Sequence, residues 1–170
     1  MIQPIRFLFD QSALGKPAVE HLSRLLELDK SDPKAEVRHI FDFENPDEWD
    51  EAWVPRMASG GWIVVAGDRG TRGGKTKGER LPRVCVVNNV SHVLLSRRIG
   101  TRKQFDKLLT IASVWHQLIA IPAYPKGSRF MLEPDGADPT HQGRGRLLHR
   151  IVEIPPPTGP MKQPEIILPD

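Results

Sequence analysis

Two aspartates follow strand-like apolar runs, and their positions suggest a carboxylate site. Asp10 comes directly after the run 5–9, and Asp68 follows the run 62–66 after a single glycine. Because open α/β folds bind their ligands at the carboxyl ends of the strands, we expect the two side chains to lie close together there. Clustered carboxylates raise one another's pKa unless a hard cation lies among them. A divalent metal site is therefore the first hypothesis.

An acidic helix start lies between the two runs and can supply a third ligand. Asn45 as N-cap, Pro46 at the first helical position and Glu48 form a capping-box pattern. Asp47 is free of the cap role and is the best third ligand, whereas Glu48 is a weaker candidate because capping competes for its side chain. We interpret Asp50 and Glu51 as solvated. For each strand-end aspartate, a turn residue that bonds its own backbone remains the alternative to a metal ligand.

A loop rich in glycine and basic residues follows the second aspartate. It spans residues 67–82 and is too polar to belong to the core. Its cations suit a grip on an RNA backbone; the candidates for this contact are Arg69, Arg72, Lys75, Lys77 and Arg80, with Arg83 close by. Two alternatives remain open. The loop is a solvated surface segment, or it binds nucleotide phosphates, although Arg69 occupies the position of the first P-loop glycine.

Charge is distributed unevenly along the 170 residues. The net charge is +3, but residues 1–68 carry −6 and residues 69–170 carry +9. An acidic site rimmed by basic surface is what a polyanion needs in order to approach a bound metal. Cys85 is the only cysteine, which excludes an intrachain disulfide and predicts a buried structural thiol in a reducing cytoplasm. No apolar run approaches the length of a membrane helix, so no membrane association is expected.

Apolar spacing predicts alternating strands and helices, hence a three-layer α/β/α sandwich with a mostly parallel sheet. Strands are predicted at 5–9, 37–41, 62–66, 84–87, 119–121 and 129–132, and helices at 17–29, from Asn45 onward and at 102–118. Residues 91–96 fit a strand or a helical turn. The second helix should bury Trp49, Ala52, Trp53 and Met57 and be kinked or ended by Pro55. The last helix should have an apolar face of Phe105, Leu108, Leu109, Ala112, Val114, Trp115 and Leu118.

Two side-chain types receive a structural interpretation. The six histidines show no spacing typical of zinc ligands, so we interpret them as surface or hydrogen-bonded core residues. The four tryptophans lie at core-facing positions and are expected to pack rather than to stack on bases.

Composition changes at Glu133, where a proline-rich extension begins. Residues 1–132 are predicted to form one domain, and residues 133–170 an extension with one strand near 147–154. Because an exposed unpaired strand promotes aggregation, we expect this strand to dock on a sheet edge of its own domain or of a second subunit.

The order and spacing of these motifs resemble PIN-domain nucleases, especially the short PIN-like group that includes toxins of bacterial toxin–antitoxin modules. The resemblance covers residues 5–121 and is carried by the segments around Asp10, Asp47 and Asp68. It implies a doubly wound α/β/α fold, Mg²⁺ or Mn²⁺ held by those three acids, and cleavage of single-stranded RNA. It also implies an antitoxin protein as partner, and a homodimer is a further expectation.

One departure from the family pattern leaves an alternative open. Many members place another carboxylate soon after the third acid, but residues 69–78 contain none. Glu79 and Asp106 are possible substitutes. The alternative to a nuclease is therefore a catalytically impaired PIN-like module that binds RNA or protein.

Overall fold

Six strands form one sheet in the order β2-β1-β3-β4-β5-β6. A computed structural model describes residues 4–28, 34–43, 50–67, 80–134 and 149–157, and the structural statements below concern these ranges. The strands are β1 (Ile5–Phe9), β2 (Ala35–His39), β3 (Trp62–Ala66), β4 (His92–Leu95), β5 (Arg129–Pro134) and β6 (His149–Ile154). The first five are parallel, and β6 pairs antiparallel with β5. Because β2 and β3 flank β1 on opposite sides, the strand order reverses beside β1.

Helices cover both faces of the sheet and complete three layers. They are α1 (Lys16–Leu28), α2 (Asp50–Ser59), α3 (Arg80–Val87), α4 (Arg97–Gly100), α5 (Gln104–Ser113) and α6 (Trp115–Leu118). One core lies under α1, α5 and α6 and contains Phe7, Phe9 and Val65. The other lies under α2 and α3 and contains Leu8, Val64 and Cys85. The expected three-layer α/β architecture with a mostly parallel sheet is thereby confirmed.

Several element predictions are confirmed. The strands predicted at 5–9, 62–66 and 129–132 are β1, β3 and β5, and α1 lies within one residue of its predicted start and end. Residues 92–95 form a strand, which decides between the two alternatives for that segment. The predicted extension strand is β6 over residues 149–154, and it docks on the domain's own sheet.

The strand predicted at 84–87 is wrong, because those residues belong to helix α3. The buried positions Leu81, Val84 and Cys85 recur at helical rather than alternating spacing. The helix begins at Arg80, so Leu81 and Pro82, which were predicted to lie in the polar loop, are buried residues of α3. Pro82 is tolerated there because the first turn of a helix has unpaired N–H groups in any case.

The predicted helix 102–118 is divided at Val114 into α5 and α6, and its predicted apolar face is partly wrong. Phe105 and Leu109 are exposed, while Lys107 lies on the buried face. The strand predicted at 119–121 is also wrong; these residues form a turn and the start of a 3₁₀-helix.

The second strand and the second helix differ from prediction in smaller ways. Residues 40–41 belong to a 3₁₀-turn rather than to β2. Helix α2 buries Trp53 and Met57 as expected, but Ala52 is exposed. Pro55 lies inside α2 and does not end it, since the helix continues to Ser59.

Buried side chains bear out the structural interpretation of the cysteine and of three of the four tryptophans, while Trp49 lies outside the described ranges. Cys85 is fully buried, and burial raises the pKa of its thiol far above the usual range. Trp53 and Trp62 are buried, and Trp115 packs partly buried against the ring of Phe7. His92 is an exception among the histidines: neither ring nitrogen finds a hydrogen-bond partner in the described structure. No helix within the described ranges has the length and apolarity needed to cross a bilayer.

Candidate active site at the carboxyl end of strands β1 and β3

Asp10 continues β1 by one residue and closes the turn that follows. Its N–H donates to the Val65 carbonyl at 2.9 Å, and its own carbonyl accepts from the N–H groups of Ala13 and Leu14. Its carboxylate Oδ2 accepts from the Ser12 hydroxyl at 2.5 Å and from the Ser12 N–H at 3.3 Å. The turn interpretation of this aspartate is therefore correct for Oδ2. Oδ1 accepts no hydrogen bond from the described residues, which leaves it available to a ligand.

Ser12 connects Asp10 to the end of β3. The Gly67 N–H donates to the Ser12 hydroxyl oxygen at 2.9 Å, while that hydroxyl donates to Asp10. A Cβ placed on Gly67 would overlap the Ser12 carbonyl oxygen and lie 2.6 Å from the carbonyl carbon, so this approach of two backbones requires glycine. Gly67 immediately precedes Asp68 in the chain. The main chain that leads into Asp68 is thus attached to the turn that holds Asp10.

Lys107 holds the same turn from the opposite side. Its ammonium donates to the Ser12 carbonyl oxygen at 2.9 Å from a side chain that is almost fully buried. Burial lowers the pKa of Lys107 because water no longer solvates the charged form. The Gln104 amide oxygen accepts from the Gly15 N–H at 2.8 Å, which joins α5 to the end of the same loop. Helix α5 therefore positions the Asp10 turn.

Asp50 lies at the first described residue of α2 and is close enough to Asp10 to respond to its charge. Burial, the neighbouring Glu51 and the charge of Asp10 raise the pKa of Asp50 to about 6. The Trp53 indole N–H donates to Asp50 Oδ1 at 3.3 Å, and Arg80 opposes the shift through its charge. Our interpretation of Asp50 as a solvated residue is wrong. It is a half-buried carboxylate whose ionisation is disfavoured mainly by burial and further by the charges of Glu51 and Asp10.

Glu51 and Arg80 join α2 to α3 beside this carboxylate. Arg80 Nε and a terminal guanidinium nitrogen donate to the two Glu51 oxygens at 2.7 and 2.6 Å. The pKa of Glu51 falls because these hydrogen bonds and the positive charge favour its ionised form, although partial burial opposes the shift. Arg80, a predicted RNA contact, thus forms an ion pair with Glu51.

His39 ends β2 and is a second group that responds to the charge of Asp10. Its ring is buried, and burial lowers its pKa even though the charges of Asp42 and Asp10 act in the opposite direction. The Phe41 N–H donates to Nδ1 at 3.1 Å, so the proton of the neutral ring is carried by Nε2. A neutral imidazole adds no positive charge to repel a cation.

Two carboxylates of the described ranges, Asp10 and Asp50, are close enough for the charge of Asp10 to add to the raised pKa of Asp50, although burial is the main cause of that shift. A cation bound beside them would favour the ionised form of Asp50, and Asp10 Oδ1 accepts no hydrogen bond from the described residues. The described residues contain no group of three His, Cys, Asp or Glu side chains that could hold a metal. Mg²⁺ needs only one or two carboxylates, because it keeps several waters and also binds substrate phosphate.

The remaining predicted site residues lie outside the described ranges. They are the acids Asp47, Glu48 and Asp68 and the basic residues Arg69, Arg72, Lys75 and Lys77. Of the predicted catalytic acids, the structure therefore describes Asp10 alone. It adds Asp50, Ser12 and Lys107, which sequence reasoning missed. The Asp-x-Ser spacing was a sequence signal for Ser12. No such signal marked Lys107, because a lysine in an amphipathic helix ordinarily lies on the exposed face.

Replacing Asp50 by Asn should change the pH dependence of stability. The folded-state pKa of Asp50, about 6, lies above its ordinary value of 3.8, so the folded protein holds this proton more tightly than the unfolded chain. The free energy of unfolding contributed by Asp50 therefore falls as pH rises through this window. Asp50→Asn keeps the acceptor for Trp53 and removes the charge. Thermal melts should show the variant more stable than wild type above pH 6, with the difference lost below pH 4; a constant difference across pH would contradict the buried, crowded carboxylate.

No family model, no curated protein and no solved structure matches the chain.

Proposed function

We propose that this chain is a metal-dependent endoribonuclease that cleaves single-stranded RNA, with a site of the PIN type. The observation that supports this most is the hydrogen-bonded connection from Asp10 through Ser12 to Gly67, at the point where the strand order reverses. Asp68 follows Gly67 directly, and the pKa of Asp50 is raised by burial and, to a smaller extent, by the charges of Glu51 and Asp10. In this proposal the carboxylates converge on one edge of the sheet, as a hard cation requires.

In this proposal, Asp10 and Asp68 hold Mg²⁺ or Mn²⁺ together with acids from the start of the second helix. The second-helix ligands are Asp50 and Asp47, with Glu48 as a further candidate. A metal held by these residues would supply Lewis-acid polarisation of a phosphoryl oxygen and a bound water of lowered pKa. Ser12 orients the Asp10 carboxylate by occupying Oδ2, so that Oδ1 faces the ligand. Lys107 keeps the turn in place by bonding the Ser12 carbonyl.

The RNA backbone has a path beside these acids. A cavity of about 410 Å³ opens next to Gly67 at the carboxyl ends of β3, β4 and β5, lined in part by Ser96, Arg97 and Thr101. The exposed guanidinium of Arg97 beside this cavity is suited to a phosphate. We propose that Arg97 contacts the phosphate next to the cleaved one, and that the basic loop of Arg69, Arg72, Lys75 and Lys77 holds more distant parts of the strand.

Replacing Arg97 by Ala should weaken RNA binding more than replacing Arg98. The two arginines are neighbours in α4 and both are exposed, but only Arg97 lines the cavity. Loss of one phosphate contact should lower the slope of log affinity against log salt by about one. Binding of a fluorescent single-stranded RNA without divalent metal, titrated with salt, measures this. If Arg98→Ala has the same effect as Arg97→Ala, the cavity is not the path of the strand.

If the nuclease is a toxin, it has a protein partner that inhibits it. We propose that a small antitoxin silences the nuclease, as in the modules that the sequence resembles. A neighbouring reading frame for a small DNA-binding protein should accompany this gene, and co-expression of its product should restore growth to cells that the nuclease arrests. If expression of the wild-type chain and of Asp10→Asn slow growth equally, toxicity does not come from cleavage.

The second candidate function is a PIN-like module that binds RNA or protein without cleaving. It is favoured by the lack of a carboxylate in residues 69–78, where many members of the family that the sequence resembles place one. A single-turnover cleavage assay on single-stranded RNA with excess Mn²⁺ separates the two functions. A nuclease yields shorter fragments that EDTA suppresses, whereas a binding module retards the RNA and leaves it intact.

A further inference from the structure

The two edges of the sheet are protected to different degrees. At the β6 edge, Gln117 in α6 accepts from the Ile151 N–H at 2.7 Å and donates to the His149 carbonyl at 3.3 Å. At the β2 edge, only the His39 N–H is occupied, by the Asp42 carboxylate at 3.3 Å. Within the described ranges, β2 is thus the edge that offers backbone hydrogen bonds to another strand.

Strand geometry identifies the groups that are open. The Ile5 N–H donates to the Lys34 carbonyl at 2.9 Å, so Lys34 directs its backbone groups toward β1. Since these directions alternate along a strand, Glu36 and Arg38 also bond toward β1, and Ala35 and Val37 direct their N–H and C=O groups outward. No group of the described structure bonds Ala35 or Val37 on that side.

Residues of opposite charge flank the central residue of β2. Glu36 and Arg38 flank Val37 and lie on the same face of the strand. If a second β2 strand pairs antiparallel with Val37 opposite Val37, each Glu36 lies opposite an Arg38 of the other copy. Opposite charges directly across two strands stabilise the pairing. Within one chain, Glu36 accepts from Arg6 at 3.1 Å and from Arg38 at 3.2 Å, which keeps its carboxylate at this edge.

Apolar surface next to the open edge adds contact area for a second copy. A groove of about 660 Å³ runs between α1, β2 and α6; charged side chains line much of it, and Leu26, Trp115 and Ile119 supply its apolar part. On α1, Leu25 and Leu28 are 55% and 79% exposed. When two sheets join edge to edge, the helices that cover the two edge strands become neighbours. Pairing through β2 therefore brings these leucines close to the other copy.

We propose that two copies of this chain associate through antiparallel β2 strands centred on Val37, so that their six-stranded sheets become continuous. A second copy is the occupant that the edge fits, because the charge pattern of β2 is complementary to itself in that register. The association does not depend on the proposed nuclease activity, since no predicted metal ligand lies on β2.

Sedimentation velocity across the micromolar range tests the proposal with two single variants. Glu36→Arg places like charges opposite each other in both cross-strand pairs, and Arg38→Glu does the same with the opposite sign. Each variant alone should dimerise at least about tenfold more weakly than wild type, because two favourable pairs become repulsive. An equimolar mixture should recover the dimer, since both pairs between unlike copies are again complementary.

Glu153→Arg on β6 is the matched control and should leave the wild-type dimer unchanged, and circular dichroism verifies that each variant is folded. A wild-type chain that remains monomeric throughout the range would overturn the proposal. So would single variants that dimerise as wild type does, or a folded mixture that stays monomeric.

Discussion

Asp10→Asn should lower Mn²⁺-dependent RNA cleavage by about a thousandfold and leave the fold intact. The amide oxygen of Asn can still accept from Ser12, which preserves the turn, whereas the amide nitrogen replaces Oδ1, the carboxylate oxygen that accepts no hydrogen bond from the described residues. The loss of a charged ligand removes metal-supplied stabilisation worth several kcal/mol, and each 1.36 kcal/mol is a tenfold change in rate. Initial rates on a single-stranded RNA with wild type and variant measure the effect.

Glu153→Gln is the control for this prediction, because it removes one exposed carboxylate from the far edge of the sheet. It should cleave at the wild-type rate. Full activity in Asp10→Asn, or wild-type cleavage that survives EDTA, would contradict a metal held by Asp10.

Gly67→Ala should destabilise the protein through a backbone collision. The added methyl group overlaps the Ser12 carbonyl, so the ends of β1 and β3 must separate and the bond from the Gly67 N–H to Ser12 is lost. Overpacking of this kind costs about 1–3 kcal/mol, or roughly 2–10 °C in Tm for a chain of this size. Thermal melts followed by circular dichroism measure the loss.

Gly15→Ala is the matched control for the Gly67 variant. A Cβ at Gly15 meets only side-chain atoms of Gln104 and Gln11 at 3.8 Å or more, which is ordinary contact, so its Tm should stay near that of wild type. Cleavage should also fall in Gly67→Ala, since Asp68 follows the displaced residue. Equal melting temperatures for the two variants would mean that the backbone approach at Ser12 is not tight in solution.

Sequence patterns predicted the parts of the fold where one physical signal dominates. The buried runs that became β1 and β3, and the 3.6-residue spacing of α1, depend on hydrophobic periodicity alone. The pairing of β6 followed from the cost of leaving an apolar strand unpaired. The placement of Asp10 at the sheet's carboxyl edge followed from strand direction.

Other features depended on tertiary contacts that no local pattern contains. The short apolar run around Cys85 is compatible with a strand or a buried helix, and packing of Leu81 and Val84 under α2 decided for the helix. The prediction of the apolar face of α5 was partly wrong because Lys107 is buried. Its ammonium donates a hydrogen bond to the Ser12 carbonyl, 95 residues away in sequence. The raised pKa of Asp50 depends on burial and on the charge of Asp10. The fold brings these two residues together from distant parts of the chain.

Anomalous diffraction from crystals soaked in Mn²⁺ tests the central claim most directly, because it locates the metal without any assay of activity. The proposed site predicts a manganese peak at coordination distance from Asp10 Oδ1, with Asp50 or Asp47 and Asp68 as further ligands. The peak should disappear in Asp10→Asn crystals soaked in the same way. Manganese that binds elsewhere, or that remains at full occupancy without the Asp10 carboxylate, would contradict a metal site at the carboxyl end of β1 and β3.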